Sequence, residues 1–412
     1  MSDTQKDIII LGGSYAGTSV AHYTLKHILP TLPSPESYRV TIVSPSTEVI
    51  CRPACPRALV SDEYFDQTKL FVDLQEQFAQ YGTKFRFIHA HATGLDTEGR
   101  VATVTLVGDG SQLKLDYHAL VIATGSSTPS PLLSLNGGGR DALKENWKTF
   151  RASLATAKSI VIAGGGATGI ETAGELGEHL NGRAGFLSSK LDKPKVQITV
   201  VTSAKDILPV LRPAIGQAAE GYLAKVGVDV IKGVKVESVS PSEAGGSEIT
   251  AKSEVKLSNG KTLSADLYIP AYGTTPNTAF VDSSLRVQDG RVDTNPETLR
   301  VDKAGPRVYA AGDASNYARP AVHILMEAIP VLAANLKRDL LQAAGKTPPS
   351  DDRIFKADES ETHLVPIGRS KGVGAAKGFK MPSFFVWLIK GRDYWVSMTG
   401  NTWTGQQWAK ET

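Results

Sequence analysis

The sequence predicts an α/β fold with an internal duplication, and three observations lead to that prediction. Short β-branched runs, typical of buried parallel strands, occur at Asp7–Leu11 and again at Ser159–Ile162. Each run is followed by a glycine-rich loop and then by a helical pattern. The two strand–loop–helix units lie about 150 residues apart, which makes them an internal repeat. A chain of 412 residues has room for two or three domains of this kind.

The loop of the second unit, Gly164–Gly169, is a complete GxGxxG placed between a strand and a helix, as that motif requires. In such a loop Gly164 permits the tight turn, Gly166 lets the backbone approach a pyrophosphate, and Gly169 lets the helix pack on the strand. The helix, whose pattern runs through Leu180, offers N–H groups and a positive dipole end to phosphates. This unit is therefore predicted to bind a dinucleotide.

The first unit carries the same fingerprint with one departure, because Ser14 stands where the middle glycine is usual. Serine is small, so close approach of a pyrophosphate is strained rather than blocked. The following helix is expected from Thr18 to about Leu29. The residues predicted to bind the first nucleotide are Gly12, Gly13, Ser14, Tyr15, Ala16 and Gly17. Two tandem Rossmann-like dinucleotide-binding domains suggest a flavin, FAD, in the first and a nicotinamide, NADH or NADPH, in the second, placed face to face.

Three segments follow from this duplication. Residues 1–137 and 285–346 are expected to form the FAD-binding domain, and residues 138–284 the NAD(P)H-binding domain. A Pro-rich and then acidic stretch begins at Thr347 and is typical of a linker. Residues 347–412 are therefore expected to be a linker and a small C-terminal extension.

Further residues of the first domain are predicted to contact FAD. Ala92 falls where this fold contacts adenine through its backbone. The small residues Ala123, Thr124 and Gly125 end a buried strand and let the chain cross close to the cofactor. Asp313 follows another strand and either accepts a hydrogen bond from a ribitol hydroxyl or serves as an N-cap.

Two arginines, Arg52 and Arg57, follow the second strand of the first unit, and Arg57 is predicted to pair with the pyrophosphate. A structural or solvated role for these arginines is equally open. The strand before them ends at Ser44, where the fold usually has an acidic residue for a ribose hydroxyl. The adenosine end of FAD is therefore expected to be held more loosely, or by other groups.

The corresponding strand of the central unit ends at Thr202, also without a carboxylate. A carboxylate at this point favours NADH, whereas hydroxyls and Lys205 tolerate a 2′-phosphate. Lys205 either binds that phosphate or is simply solvated. The choice between NADH and NADPH therefore stays open.

Composition and charge exclude several classes of function. The net charge of +3 is too small to suggest a nucleic-acid partner, no apolar run approaches the length of a membrane span, and no metal site is predicted. Two cysteines cannot build a disulfide framework, which fits a reducing compartment such as the cytoplasm. Cys51 and Cys55 are typical of small buried hydrophobes, with a reactive Cys55 facing the flavin as the alternative.

The segment from His363 to Thr412 is both basic and aromatic. It holds seven Lys and Arg against two Asp and Glu, and four of the chain's 5 tryptophans. Basic residues interleaved with aromatics suit an anionic membrane surface or a partner. Packing of a small subdomain explains the tryptophans equally well.

The motifs in chain order, GGSYAG, ATG, GGGATGIETAGE, YGTTPN and YAAGD, resemble those of the flavoproteins of the glutathione reductase type along nearly the whole chain. Within that superfamily the sequence is most similar to the group of apoptosis-inducing factor 2 and ferroptosis suppressor protein. This narrower likeness is carried by PRALVS and by the tail VPIGRSKGVGAAKGF followed by IKGRDYWVS.

The resemblance implies FAD, or a hydroxylated form such as 6-hydroxy-FAD, and reduction of a quinone-like acceptor by NAD(P)H. It also implies a catalytic role for Glu171, which matches a glutamate near the nicotinamide and flavin; by position alone Glu171 either places the nicotinamide or complements the helix dipole. Two departures stand out. In that group a lysine follows the proline, whereas here Ala321 follows Pro320. The lysine of the group's catalytic pairing is therefore missing at this position. Ser2 replaces the glycine needed for myristoylation, so the group's anchoring signal is missing.

We therefore expect an FAD-dependent NAD(P)H oxidoreductase that is cytoplasmic, or peripheral on an intracellular membrane. Three alternatives remain open. The first is a disulfide reductase that depends on Cys55. The second is a specialised flavoenzyme acting on an aromatic secondary metabolite, suggested by Ser44 and Ala321. The third is a redox-sensing binding protein with slow turnover.

Overall fold

The computed structural model describes residues 5–348 and 350–412, in which a seven-stranded sheet forms the centre of the first unit. From edge to edge its strands are Val308–Ala310, Ala119–Ile122, Lys6–Leu11, Tyr38–Ser44, Phe85–Asp96, Val101–Leu106 and Gln112–Asp116. The first five are parallel and the last two antiparallel. Ile8, Ile9 and Ile10 of the central strand are fully buried, because helices and loops cover both faces of a parallel sheet.

The central unit forms a second, parallel sheet with the same order of its first strands. Its strands, edge to edge, are Val228–Ile231, Gln197–Val201, Ser159–Ala163 and Leu267–Pro270. A three-stranded antiparallel sheet accompanies it, made of Val236–Ser240, Ser253–Leu257 and Thr262–Ala265. In both parallel sheets the strand before the fingerprint lies in the middle, so the predicted α/β fold with two Rossmann-like units is confirmed.

The helices lie between and after these strands along the chain. The α-helices are Tyr15–Tyr23, Cys55–Ala58, Gln67–Leu70, Leu74–Phe78, Gly139–Leu154, Ala167–Asn181, Pro213–Ala224, Val322–Ala343, Ser383–Val386 and Val396–Trp403. Two π-helical segments are Thr24–Ile28 and Trp387–Gly391. The 3₁₀ turns are Leu29–Thr31, Pro35–Ser37, Arg52–Ala54, Asp62–Tyr64, Ala79–Lys84, Ser283–Leu285, Asp302–Ala304, Gly312–Ala314 and Gln406–Trp408. None of the helices in the described ranges is both long and apolar enough to span a bilayer.

The first helix begins earlier than its sequence pattern predicts. It starts at Tyr15 rather than at Thr18, because Ser14 still has extended backbone (φ −96°, ψ −157°) and acts as its N-cap. The α-helix ends at Tyr23 and continues as a π-helical segment rather than running regularly to Leu29. The central helix ends at Asn181, one residue beyond the predicted Leu180.

The C-terminal extension packs on both nucleotide-fold units. Its antiparallel strands are His363–Ile367, Lys371–Ala376 and Phe379–Lys380. The central helix approaches this hairpin so closely that a Cβ on Gly174 would lie 2.9 Å from the Cα of Ile367. Trp403 and Trp408 are buried beside the first helix, with the Trp403 ring centroid 4.6 Å from that of Tyr15. Packing therefore accounts for these two tryptophans, whereas Trp387 and Trp395 stay partly exposed.

The described part of the predicted linker, residues 350–362, packs against the first unit. It contains no helix or strand between residues 350 and 362, yet Phe355 is buried against Tyr317. Arg300 also pairs with Asp352, with 2.8 Å between Nη1 and Oδ2. The segment therefore follows the surface of the first unit.

Candidate active site

The first glycine of each fingerprint makes the same tight turn. Gly12 has φ +116° and Gly164 has φ +130°, a region that side chains rarely adopt. A Cβ on Gly12 would overlap the carbonyl oxygen of Ala123, and one on Gly164 would overlap that of Ala271. Both positions therefore require glycine for the loop to pass under the neighbouring strand.

The last glycine of each fingerprint lets its helix sit against its own loop. A Cβ on Gly17 would overlap the carbonyl oxygen of Gly12, and one on Gly169 would overlap that of Gly164. The roles predicted for these four glycines thus recur in both units with the same contacts.

The middle position of each loop faces open space. Ser14 and Gly166 are the N-caps of their helices, and the Ser14 hydroxyl makes no cap bond among the described residues. Ser14 is exposed, and a Cβ on Gly166 would meet nothing within 4 Å. The first turns of both helices hold no acidic residue. No carboxylate of these turns therefore competes with a bound phosphate for the N–H groups and the positive dipole end of each helix; each loop with its helix N-terminus is called a cradle below. The residues present therefore fit a dinucleotide pyrophosphate in each loop.

The Ala123–Gly125 segment lies directly over the first loop. The Ala123 amide donates to the Leu11 carbonyl at 2.8 Å, which continues the sheet up to the fingerprint. The hydroxyl of Thr124 is buried and has no hydrogen-bond partner in the described part of the chain. A buried hydroxyl in that state is a candidate donor or acceptor for a bound cofactor, because unpaired polar groups are costly.

The two units meet at the carboxyl ends of their strands. Ser126–Ser127 pairs antiparallel with Thr275–Pro276, although the two segments belong to different units. Asn277 adds two hydrogen bonds to this crossing. Its backbone N–H donates to the Gly125 carbonyl at 2.9 Å, and its side-chain Nδ2 donates to the Thr124 carbonyl at 3.0 Å. The edges at which both sheets carry their fingerprints are therefore joined.

Asp313 lies beside this crossing. Its Oδ2 accepts a hydrogen bond from the Ser126 hydroxyl at 2.8 Å and lies 3.6 Å from Nη1 of Arg52. Its turn touches the first helix, because a Cβ on Gly312 would lie 3.2 Å from the Cβ of Ala16. The N-cap of the following helix is Ala321, so the alternative of Asp313 as that helix cap is wrong.

The pyrophosphate role predicted for Arg57 is not supported by its position. Its side chain is buried and donates to Glu175 Oε1 at 2.8 Å and to the Gly391 carbonyl at 2.7 Å. The guanidinium also lies over the Tyr394 ring, 4.7 Å from its centroid. These donors bind the C-terminal extension to the central helix, so Arg57 is structural. Of the two arginines considered, Arg52 is the one that lies at the domain crossing, beside Asp313.

The adenosine-side candidates lie at the carboxyl edges of their sheets. Parallel pairing in the first sheet ends where Ser44 lies opposite His89, and Ala92 lies just beyond it on the same strand. The Ser44 hydroxyl donates to the Ser46 carbonyl at 2.8 Å and so closes a local turn. Lys205 is exposed beyond the end of Gln197–Val201.

Glu171 is buried in the first half of the central helix and is paired with a lysine from the C-terminal extension. Its Oε1 accepts a hydrogen bond from Lys390 Nζ at 2.6 Å, and both side chains are almost fully buried. Burial raises the pKa of Glu171 to about 7, although the nearby Lys390 acts to lower it. Since the resting carboxyl titrates near neutrality, it can hold or release a proton at ordinary pH.

Lys390 is the residue that sequence reasoning missed. Its ammonium also donates to the Leu364 carbonyl at 3.0 Å and lies 4.9 Å from the centroid of the Trp395 ring. Ala321 is the N-cap of the helix Val322–Ala343, and the lysine that contacts Glu171 in the structure is Lys390. The signal was present in the tail IKGRDYWVS, in which this lysine precedes an aromatic pair.

The two thiols are buried and do not have the surroundings of a reactive cysteine. Burial raises the pKa of Cys55 to about 12 and raises that of Cys51 as well. The Cys51 sulfur lies 3.3 Å from the carbonyl oxygen of Tyr394 and 3.5 Å from the hydroxyl of Tyr15. Reactive cysteines are thiolates with lowered pKa, so this geometry disfavours a disulfide reductase that depends on Cys55.

Residues 6–331 match the family of pyridine nucleotide-disulphide oxidoreductases. The chain belongs to that family. Membership makes it an oxidoreductase and implies binding of FAD and of NAD(P)H, in agreement with the two cradles. The predicted superfamily is thereby confirmed.

Sequence similarity to known relatives extends over nearly the whole chain. Oxidoreductase phnG of Penicillium herquei is 56% identical over 410 residues, covering 99% of this chain and 98% of its own. Oxidoreductase ptaL of Pestalotiopsis fici is 32% identical over 386 residues, covering 93% and 95%. Ferroptosis suppressor protein 1 of Xenopus tropicalis is 24% identical over 400 residues, covering 95% and 94%, which bears out the resemblance found in the tail.

Solved structures share the fold at low sequence identity. The sulfide:quinone oxidoreductase of Aquifex aeolicus superposes with a TM-score of 0.73 at 16% identity, covering 97% of this chain and 92% of that one. NDH2 of Plasmodium falciparum in complex with NADH gives a TM-score of 0.68 at 14% identity, covering 99% of both chains. These likenesses show the two-domain architecture of the family.

Proposed function

We propose that this protein is an FAD-dependent oxidoreductase that takes a hydride from NADH or NADPH and delivers the electrons to a quinone-like acceptor. The observation that supports it most is the pairing of Ser126–Ser127 with Thr275–Pro276. This pairing joins the edges at which the two nucleotide cradles open, so two dinucleotides bound there extend toward the same region. Hydride transfer requires such proximity between donor and acceptor rings.

Specific residues would hold each cofactor. The Gly12–Gly17 loop would hold the pyrophosphate of FAD, with Asp313 and Arg52 beside its ribitol or pyrophosphate. The Gly164–Gly169 loop would hold that of NAD(P)H. When bound, FAD supplies the redox chemistry by accepting two electrons from the nicotinamide and passing them on. Exposed Lys205 and the lack of a carboxylate at Thr202 favour acceptance of both donors.

Glu171 and Lys390 supply the polar groups of the site. Reduction of a quinone consumes protons as well as electrons, and the pKa of Glu171 near 7 suits a group that holds a proton at Oε2, since Oε1 accepts the hydrogen bond from Lys390. Lys390 fixes the orientation of that carboxyl through the 2.6 Å hydrogen bond. The burial of both side chains keeps this proton away from bulk water.

The test is the visible spectrum of the purified protein, recorded anaerobically before and after addition of NADH and of NADPH. We expect a flavin spectrum that is bleached by either donor and restored by a soluble benzoquinone. A colourless protein that gains no flavin on incubation with FAD would overturn the proposal.

A panel of acceptors then separates the remaining alternatives. Steady turnover with simple quinones supports the quinone-like acceptor. Turnover only with larger polycyclic aromatics would instead identify a specialised flavoenzyme, and slow turnover with every acceptor would indicate a redox-sensing binding protein.

A further inference from the structure

The helical segment Ser383–Gly391 of the C-terminal extension exposes its apolar side chains. Phe384 is 60% exposed, Phe385 47%, Leu388 40% and Ile389 41%. On its other side Val386 and Lys390 are buried. A surface helix of a globular protein normally has the opposite pattern, with apolar residues against the core and polar residues in water.

The exposed side chains form one surface, here called the apolar face and defined as Phe384, Phe385, Leu388 and Ile389. The ring centroid of Phe384 lies 5.6 Å from that of Phe385 and 5.8 Å from that of Trp387. Phe379, in the strand just before the helix, is 78% exposed. Contiguous apolar surface of this kind on a folded protein marks an interaction site.

Exposed cations flank the apolar face along the chain. Lys377 and Lys380 precede it and Arg392 follows it, and none of the three pairs with a carboxylate within 4 Å in the described part of the chain. The carboxylate of the neighbouring Asp393 accepts hydrogen bonds from the backbone N–H groups of Trp395 and Ser397 at the start of the next helix, and it does not pair with these three described cations. An apolar centre with a basic rim has the chemistry that binds an anionic lipid surface.

We propose that the apolar face inserts into the interfacial region of an anionic bilayer and holds the protein on its surface. A second copy of the chain is a poorer occupant, because a two-fold contact through this face would bring the same basic residues of both copies together. The helix carries Lys390 on its buried side, so the surface that meets the bilayer lies on the same element as the Glu171 pair. An apolar acceptor dissolved in the bilayer would thus be close to the site. The membrane contact itself does not depend on the identity of that acceptor.

The test is sedimentation of the purified full-length protein with vesicles of phosphatidylcholine containing phosphatidylserine, and with vesicles of phosphatidylcholine alone. We expect binding to the anionic vesicles that weakens with added salt. The double variant Phe384→Ser, Leu388→Ser should lower the vesicle affinity about tenfold or more, because each side chain loses its apolar burial. The double variant Lys377→Glu, Lys380→Glu should abolish the preference for anionic vesicles.

A matched control is the double variant Phe186→Ser, Leu187→Ser, which removes two side chains that are each 95% exposed but lie far along the chain in another loop. It should bind vesicles as the parent does. Flavin content and melting temperature, measured on all variants, report that the fold is kept. Lack of binding to either vesicle, or equal loss in the control, would overturn the proposal. A dimer in solution that Phe384→Ser dissociates would assign the face to a second copy instead.

Discussion

The two fingerprint loops have the same shape and differ at their middle residue, whose side-chain position faces open space. In both loops the protein's own backbone excludes any other residue at the first and last glycines. A Cβ at Gly12, Gly17, Gly164 or Gly169 would overlap a backbone carbonyl. The middle position is serine in one loop and glycine in the other, and it faces open space in both. Backbone packing therefore requires glycine at the first and last positions, whereas a side chain at the middle position is limited by the bound ligand. This comparison separates variants that break the fold from variants that break binding.

The largest effect is expected from Gly169→Ala. The added methyl overlaps the carbonyl of Gly164 inside the loop, where the backbone cannot retreat, so we expect a loss of about 3 kcal/mol or more in the free energy of unfolding. The measurement is urea unfolding. Gly221→Ala, in the helix Pro213–Ala224, is the matched control, because a Cβ on Gly221 meets nothing within 4 Å. The control should gain about 0.5 kcal/mol from helix propensity. Equal stability of the two variants would contradict the enforced turn.

The middle position is expected to affect binding without affecting stability. Gly166→Val places a branched side chain in the cradle and should weaken NAD(P)H binding about tenfold or more, a change of at least ~1.4 kcal/mol, while FAD stays bound. The measurement is flavin reduction in a stopped-flow instrument against NADH concentration, with flavin content assayed in parallel.

Ser14→Val is the reciprocal variant and should weaken FAD binding while the NADH-binding cradle keeps its shape. If Gly166→Val loses FAD and keeps its affinity for NADH, the assignment of the two cradles is reversed. If neither variant changes either ligand, the loops are not the nucleotide sites.

The first unit has a further contact beside its nucleotide loop, made by Asp313. Asp313 accepts from Ser126 and lies near Arg52, so Asp313→Ala removes a charged hydrogen-bond acceptor beside the first cradle. We expect the FAD dissociation constant to rise by about tenfold, from the loss of one charge-assisted hydrogen bond. Asp293→Ala, which removes a carboxylate of similar exposure in the same unit, serves as the control. Unchanged flavin occupancy in Asp313→Ala would show that its role is confined to the turn.

The second unit has its own addition, the buried Glu171, whose pKa of about 7 lies above the ~4.3 of an unfolded chain. The folded chain therefore binds more protons than the unfolded chain between these values. The stability that protonation contributes is fully present below pH ~4.3 and is lost as the pH rises through 7. Relative to Glu171→Gln, the parent should lose stability over that interval by up to about 1.4 kcal/mol per pH unit.

The measurement is urea unfolding of the parent and of Glu171→Gln at a series of pH values from 4 to 8. The difference between the two curves isolates Glu171 from the other titrating groups. Two parallel curves would mean that Glu171 has the same pKa in the folded and unfolded chains.

Much of the fold was predictable from the sequence because its signals are local. The buried β-branched runs and the glycine spacing act over a few residues, so the two central strands and both loops lie where the pattern places them. The start of the first helix was predicted at Thr18 rather than Tyr15, because helix periodicity does not show where an extended N-cap such as Ser14 ends.

The side-chain chemistry between the units was not predictable in the same way. Arg57 meets Glu175 across 118 residues of sequence, and Lys390 meets Glu171 across 219. No periodicity carries such pairings, since they arise only when the C-terminal extension packs on the central helix. An arginine close in sequence to a nucleotide loop was therefore assigned to a phosphate, although its actual partner is a carboxylate of the other unit.

The smallest effect is expected where the two units again share a feature, the strand end without a carboxylate. Lys205 is exposed beyond that end, and Lys205→Gln removes one charge near the place where a 2′-phosphate would lie. At roughly 4 Å in water such an interaction is worth ~1 kcal/mol, so we expect the affinity for NADPH to fall about fivefold while that for NADH is kept. Lys193→Gln, at another exposed lysine of the same unit, should change neither. The effect should shrink as salt is added, because exposed charges are screened. Stopped-flow flavin reduction with each donor measures it, and an equal loss for NADH and NADPH would show that Lys205 does not distinguish the two nucleotides.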